Sequence, residues 1–250
     1  GLYDPDLGVV GELPPGRVVL VCFYRSYLTA ADTAPVDALI RALRAAGLAA
    51  IGVFAPSLKA PGFAAWLRPI LAAANPPAIV NATAFSARSD AGETPFDPAE
   101  CPVFQVALST ARRRDWAGSE RGLSPADLAM HVVLPEVDGR IFAGVVSFKQ
   151  PGRRDPHLQF ARFAHAAEPE RIDAVADRVA AWHRLAVTRP QAKRLALVLS
   201  TYPGRVWNMA HAVGLDALAS AEAILLQQIE RAADQGIIDF SDTEIGRAHV

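Results

Sequence analysis

Apolar runs that alternate with amphipathic segments are the feature that most constrains how this chain folds. The first run, RVVLVCF from Arg17, is continuously apolar and rich in Val, as expected of a strand buried on both faces. Similar runs follow at 48–55, 77–85, 101–109 and 140–149. Strands separated by helices in this way predict an α/β fold with a doubly wound, mostly parallel sheet and flanking helices.

The segments between these runs carry helix signals. ADTAPVDALIRALRAAG offers Asp32 or Thr33 as the cap, has Pro35 in its first turn and ends at Gly47. APGFAAWLRPILAAAN predicts a second helix, interrupted near Pro69. Each helix lies between two predicted strands, as a parallel sheet requires.

Later in the chain, SPADLAMHVVLP predicts a short helix that Ser124 caps and Pro135 ends. The acidic, Pro-rich and Gly-rich segment 86–100 predicts a surface excursion or lid between two strands. A long helix is expected from Glu168 to Thr188.

These elements predict a domain organisation. Residues 1–16 are expected to be a linker, 17–165 an α/β domain, and 166–190 a connecting helix. RLALVLS, at 194–200, would begin a second α/β domain, of which 191–244 is the truncated start. The closing hexapeptide IGRAHV, at 245–250, is interpreted as a translated sequencing adapter, so we expect the chain to be an internal fragment of a longer gene product.

Charge and composition exclude several partners. The 25 Lys and Arg residues balance 26 Asp and Glu residues, so no overall field favours nucleic acid or an anionic membrane surface. No apolar run reaches the roughly 18 residues of a transmembrane helix, and no signal peptide pattern opens the chain. Two dispersed cysteines, Cys22 and Cys101, fit neither a disulfide framework nor a zinc site. We expect a cytoplasmic protein with no nucleic-acid or membrane partner.

The stretch HVVLPEVDGR contains the first candidate site. If Pro135 ends the helix, Glu136 and Asp138 follow its C-terminus, where the helix dipole disfavours negative charge. A carboxylate kept there suits proton transfer or attraction of a cation to a bound ligand. Other interpretations remain open: Asp138 suits an Asp-Gly turn, His131 suits a core histidine with satisfied hydrogen bonds, and Glu136 suits an ordinary surface acid.

A second set of candidates lies where predicted strands end, because the carboxyl edge of a parallel sheet forms the usual ligand crevice. The set comprises Arg25, Asn81, Thr83, Tyr202 and Arg205. The two arginines suit bidentate binding of carboxylates. No phosphate-binding loop or GxGxxG follows a strand, so neither ATP nor a dinucleotide is expected here, and the histidine spacing predicts no metal site.

Several blocks in order resemble one family. They are FYRSYLTAADTAPVDALIRALRAAGL, VNATAF, RGLSPADLAMHVVLPEVDGR with VVSFK, and LVLSTYPGR with AVGLD. Together they resemble the large subunit of aerobic cobaltochelatase (CobN type) and, more distantly, the tetrapyrrole-binding H subunit of magnesium chelatase. The resemblance runs from about residue 3 to residue 230, nearly the whole chain.

The resemblance implies a subunit that binds a corrinoid precursor macrocycle and inserts Co²⁺ as a substrate. ATP would be hydrolysed by a separate AAA+ motor complex of two smaller subunits. By resemblance, Glu136 is the first candidate for proton removal, with Asp138 and His131 behind it, and Arg25 and Arg205 would pair with carboxylates of the macrocycle. Two alternatives stay open: a magnesium-chelatase H-like porphyrin-binding subunit, and a non-catalytic scaffold that docks the motor.

Overall fold

A single sheet organises the first part of the chain in the computed structural model, which describes residues 1–194, 196–198 and 216–234. The chain divides into two units, residues 1–184 and 185–250. The sheet of the first unit has eight strands in the order β2-β1-β4-β3-β5-β6-β7-β8. They are β1 (Leu2–Asp4), β2 (Gly8–Val10), β3 (Val18–Tyr24), β4 (Ala49–Ala55), β5 (Ile79–Asn81), β6 (Val103–Ser109), β7 (Ile141–Asp155) and β8 (Phe160–Ala167).

The predicted fold class is confirmed. Strands β4, β3, β5, β6 and β7 pair in parallel, while β1 and β2 at one edge and β8 at the other pair antiparallel to their neighbours. The central strands are buried on both faces, which explains their continuous apolar sequences.

Helices cover both faces of the sheet. The described helices are α1 (Arg25–Thr29), α2 (Ala34–Ala45), α3 (Phe63–Ala74), α4 (Arg113–Ala117), α5 (Pro125–Leu128), a π-helical turn (Ala129–Val133), α6 (Leu134–Val137) and α7 (Pro169–Val187); α8 (Ala217–Asp234) belongs to the second unit. Buried side chains of α2 and α7 pack on one face of the sheet. Helix α3 packs on the other face, together with Ala87 and Phe96 of the 82–100 loop. Part of this loop, expected to be a surface excursion, therefore belongs to the core.

The expectation that residues 1–16 form a linker is wrong. Strand β1 pairs with β4 and extends the sheet, and its Tyr3 is buried with its hydroxyl donating to Asp37 at 2.8 Å. These strands are only three residues long, below the length at which an alternating pattern is visible in a sequence.

The interruption predicted at Pro69 does not occur. Helix α3 is continuous across this residue. A proline removes a single N–H···O bond, and here the buried Leu67 and Leu71 on either side hold the helix against the sheet. Packing therefore outweighs the local preference.

The second unit is described only in part. It contains a 3₁₀ turn, Pro190–Ala192, and α8. Of the strand predicted at 194–200, the described residues 194 and 196–198 are not in a strand, and Val198 is 84% exposed. Such an apolar run becomes a strand only when it pairs with a sheet edge. Its remaining residues, and 245–250, lie outside the described chain, so the second domain stays a prediction. Within the described ranges, no helix is long and apolar enough to cross a membrane.

The first strand offers a direct test of the corrected N-terminal boundary. Replacing Tyr3 with Ala should lower the free energy of unfolding by roughly 3–5 kcal/mol, because it removes a buried aromatic ring. Urea denaturation measures this change. The matched control is Leu7→Ala, which should change stability by less than about 0.5 kcal/mol because Leu7 is 78% exposed. Equal, small effects of both variants would show that residues 1–16 are a linker after all.

Candidate functional site

The helical segment 125–137, made of α5, the π-helical turn and α6, begins at the carboxyl end of β6. Ser124 caps it by accepting the N–H of Asp127 at 3.1 Å. The fully buried Asp127 carboxylate accepts hydrogen bonds from Ser109 Oγ at 2.7 Å, from the Thr110 N–H at 3.0 Å and from Thr110 Oγ1 at 2.9 Å. This anchor fixes the start of the segment, which we call the 125–137 helix.

The wide turn in this helix accommodates the proline. The Leu134 N–H donates to the Ala129 carbonyl, five residues back, and Pro135 has no N–H to offer to the turn before it. The Met130 carbonyl is therefore left without a partner in the helix. It accepts the N–H of Phe85 at 2.8 Å, which ties the loop after β5 to the helix.

The expectation that Pro135 ends the helix is wrong. The chain continues as α6 to Val137, so Glu136 lies in the last turn and Asp138 is the residue that closes it. The π-helical turn makes this continuation possible because it accommodates Pro135, which has no N–H to donate to the preceding turn. The Arg88 guanidinium donates to the Val137 carbonyl at 2.8 Å, so a cation does lie at this helix C-terminus.

Asp138 and Arg140 form an ion pair that is shielded from water. Arg140 donates to the Asp138 carboxylate at 2.7 Å, and both side chains are only 1% exposed. A second Arg140 nitrogen donates to Gln105 Oε1 at 3.2 Å, and the guanidinium lies 5.7 Å from the centre of the Phe96 ring. Burial lowers the pKa of Arg140 from its ordinary value, and the Asp138 carboxylate opposes that shift.

Asp138 also holds the loop after β5. Its carboxylate accepts the Ser86 hydroxyl and, at 2.6 Å, the N–H of Ala87. These two partners are distant in sequence, unlike those of an ordinary Asp-Gly turn. Enclosed in this way, Asp138 is placed to position the helix end and the loop.

Asn81 and Thr83, expected to contact a ligand, are buried in a polar network. Asn81 donates to Gln105 at 2.7 Å, Thr83 donates to Asn81 at 3.0 Å, and Gln105 donates to the Thr83 carbonyl at 2.8 Å. Both side chains are at most 1% exposed. As placed, they support the same loop that Asp138 holds.

His131 faces inward on the 125–137 helix. It is 5% exposed, and its Nδ1 has no hydrogen-bond partner among the residues that the structure describes. Burial lowers the pKa of His131, which the Asp127 carboxylate partly opposes. His131 and Glu136 therefore lie on different faces of the helix, one buried and one exposed.

The β7–β8 hairpin covers part of the carboxyl edge of the sheet. Asp32 accepts the N–H of His165 at 2.7 Å and Lys149 Nζ at 2.9 Å, and His165 Nδ1 lies 3.0 Å from Ser147 Oγ. Burial first, then the nearby Lys149 charge, lowers the pKa of His165 to about 4. The crevice expected at this edge is partly closed by these contacts.

The structure does not bring all predicted site residues together. Arg25 is exposed directly after β3, at the carboxyl edge. The 125–137 helix runs back from the end of β6 to the start of β7, so Glu136 lies toward the amino edge. A seven-residue strand separates the edges by about 20 Å. Tyr202 and Arg205 lie outside the described residues.

The most unusual feature of this region is the outer face of the 125–137 helix. Its buried residues, Asp127, His131 and Pro135, include two polar ones, whereas its exposed residues are apolar with one exception, Glu136. The exposed apolar residues are Pro125, Ala126, Leu128, Ala129, Val133, Leu134 and Val137. Glu136 has no ion-pair partner in the described part of the chain.

Sequence reasoning missed three residues of this region. Arg140 and Arg88 fix the helix end, and Phe85, 49% exposed with φ +66°, lies beside the π-helical turn. The i, i+4, i+8 spacing of Asp127, His131 and Pro135 was the available signal for an inward polar face. Across the described ranges, no group of three or more His, Cys, Asp or Glu residues is arranged to hold a metal ion.

Comparison with known proteins gives consistent matches. A family model described as CobN/Magnesium Chelatase matches residues 11–232. The aerobic cobaltochelatase subunit CobN of a Sinorhizobium species is 36% identical over 243 residues, covering 90% of this chain and 19% of the relative. The H subunit of the magnesium chelatase of Rhodobacter capsulatus is 29% identical over 227 residues, covering 81% of this chain and 19% of the relative.

A solved structure extends the likeness to three dimensions. The catalytic subunit of cobaltochelatase from Mycobacterium tuberculosis matches with a TM-score of 0.69 and 31% identity, over 89% of this chain and 19% of that one. The chain therefore spans about a fifth of the length of these relatives.

The buried ion pair predicts a large cost of removing one partner. Asp138→Asn should lower the free energy of unfolding by roughly 3–5 kcal/mol, because it leaves the Arg140 charge buried without a counter-ion. The control is Asp6→Asn, which breaks the exposed ion pair with Arg41 and should cost less than about 1 kcal/mol. Urea denaturation compares the two, and an Asp138→Asn variant as stable as the control would contradict the positioning role.

The buried His165 predicts a loss of stability in acid. Its pKa is about 4 in the folded chain and near 6.5 when unfolded, so the unfolded chain binds the proton first. Protonation of His165 should therefore not affect the free energy of unfolding above about pH 6.5. As the pH falls toward 4, it should lower the free energy of unfolding by up to about 3 kcal/mol. Urea denaturation between pH 7 and pH 4 should show the free energy of unfolding falling more steeply for the unmodified chain than for His165→Asn. Identical declines would show that this group is not responsible.

Proposed function

Because the chain belongs to the CobN/magnesium chelatase family, we propose that it is part of the macrocycle-binding large subunit of an ATP-dependent cobaltochelatase. The proposed reaction inserts Co²⁺ into hydrogenobyrinic acid a,c-diamide. A separate AAA+ complex of two smaller subunits would hydrolyse the ATP. The cobaltochelatase relatives, at 36–37% identity against 29% or less for the magnesium-chelatase subunits, support cobalt as the metal.

The observation that carries the proposal is the placement of Glu136. Metal insertion requires deprotonation of the ring nitrogens while a divalent cation approaches. A carboxylate accepts such protons and attracts the cation, and both effects are stronger where apolar neighbours exclude water. Glu136 is the single charged residue exposed on an otherwise apolar helix face, without an ion-pair partner in the described chain.

The other two candidates of this stretch are proposed in lesser roles. Asp138 is enclosed by Arg140, Ser86 and Ala87, which supports a role in positioning the helix end. His131 is buried and faces the sheet, so it would act on the reaction only through the structure around it.

The ligand-binding candidates at the ends of the strands also divide into an exposed residue and enclosed residues. Arg25 is exposed at the edge opposite Glu136, which supports a contact with a carboxylate of another partner at that edge. Asn81 and Thr83 are enclosed, which supports a role in holding the loop after β5. For Tyr202 and Arg205 the proposal rests on the resemblance alone.

Two alternative functions remain. The match to the H subunit of magnesium chelatase, which covers 81% of this chain, favours a porphyrin and Mg²⁺ as the second candidate pair of substrates. A non-catalytic scaffold that docks the motor subunits would use the exposed apolar helix face as its contact surface. Metal and ring specificity distinguish the first alternative. Loss of metal insertion by Glu136→Gln, with unchanged binding of the motor subunits, excludes the second.

The test of the proposed function is Glu136→Gln in the full-length subunit, assayed together with its motor subunits. Metal insertion should fall at least 100-fold, because the amide accepts no proton, whereas macrocycle affinity should change by less than about threefold. Absorbance changes of the ring report insertion, and fluorescence quenching reports affinity. Glu120→Gln, another exposed acid, is the control and should keep full activity. An active Glu136→Gln variant would refute the catalytic assignment.

A further inference from the structure

The 125–137 helix has the reverse of the polarity expected of a surface helix: polar side chains face the protein interior and apolar side chains face solvent. A helix at a protein surface normally points its polar residues outward and its apolar residues to the core. Here Asp127 and His131 point inward, where hydroxyls at the end of β6 satisfy the carboxylate, while Val133, Leu134 and Val137 are 38–57% exposed. A contiguous apolar surface of this kind indicates a contact with something else.

The loop after β5 brings an exposed aromatic residue, Phe85, next to this helix. Its φ of +66° places a bulky side chain in the left-handed region, where Gly or Asn would be more stable. Its N–H is held by the Met130 carbonyl that the π-helical turn leaves free, and the side chain is 49% exposed. An exposed aromatic residue held in a strained conformation beside a π-helical turn indicates a functional role.

From these observations we propose that Phe85 and the outer face of the 125–137 helix form a platform that contacts one face of the macrocycle. The inference rests on the proposed function and deepens it, because it assigns the surface that contacts the ring and gives Phe85 a role. The largest exposed side chains of the platform are those of Phe85, Leu128, Val133, Leu134 and Val137, and Glu136 is exposed on the same helix.

The Glu136 carboxylate favours a tetrapyrrole ring over a protein as the ligand of this helix face. A protein partner lying on this face would bury Glu136 and would have to supply a cation, since an unpaired buried charge is strongly unfavourable. A metal-free tetrapyrrole instead presents an N–H donor at the centre of a ring with apolar substituents. The exposed helix face, about 20 Å long for thirteen residues, is long enough to underlie one such ring.

Charges beside the platform match the acidic periphery of the ring. Arg88, which contacts the helix end, also lines a neighbouring cleft of about 590 Å³. Lys59 and Arg68 line the same cleft and have no acidic partner in the part of the chain that the structure describes. Asp90 and Glu93 also line it, so the cations suit individual carboxylates rather than a large anionic surface.

The test is a titration of the 250-residue chain with hydrogenobyrinic acid a,c-diamide, followed by quenching of Trp fluorescence. Phe85→Asn should raise Kd roughly tenfold by removing the ring contact. It should leave the thermal midpoint unchanged or higher, because Asn adopts the left-handed backbone readily. Val137→Ser, at a 57% exposed position, should raise Kd about threefold. Leu7→Asn, in an exposed turn, is the control and should leave Kd unchanged.

The outcomes separate this inference from the function on which it rests. Binding by the unmodified chain that neither platform variant weakens would overturn the platform and leave the proposed function standing. No binding by the unmodified chain would overturn both for this part of the protein. If the unmodified chain sediments as a dimer and Phe85→Asn as a monomer, the occupant is a second copy, which overturns the platform.

Discussion

The ion pair between Asp138 and Arg140 is the interaction on which the arrangement of the site depends. Both charges are removed from water, so each is stable only while the other is present. Arg140 donates a hydrogen bond to Gln105 in the sheet, and Asp138 accepts hydrogen bonds from Ser86 and from the N–H of Ala87. One buried pair therefore fixes the end of the 125–137 helix, the loop after β5 and the start of β7 relative to one another.

That constraint explains how a polar helix face comes to lie inside the protein. Asp127 is satisfied at one end of the helix by Ser109 and Thr110, and Asp138 closes the other end. With both ends anchored by polar contacts, the apolar residues between them face outward, and Pro135 is absorbed by the π-helical turn. The same turn frees the carbonyl that holds Phe85, so the anchors, the turn and the exposed surface form one connected arrangement.

The sequence was informative where one physical effect dominates. The buried parallel strands were predicted from their continuous apolar runs, and the Ser124 cap from a Ser followed by a Pro at the start of a helical pattern. The strands at residues 2–10 and the helix beyond Pro135 were missed, because tertiary contacts outweigh weak local signals there. Glu136 was selected by its position at a helix end, but its apolar surroundings and the enclosure of Asp138, Asn81 and Thr83 depend on contacts between distant residues.

The central claim is that a macrocycle lies against the outer face of the 125–137 helix. Hydrogen–deuterium exchange of the chain, with and without hydrogenobyrinic acid a,c-diamide, measures this directly. The account predicts slower exchange at residues 84–88 and 128–139 on ligand addition, with little change at the carboxyl edge near Arg25. Protection confined to the carboxyl edge, with residues 128–139 unaffected, would contradict it.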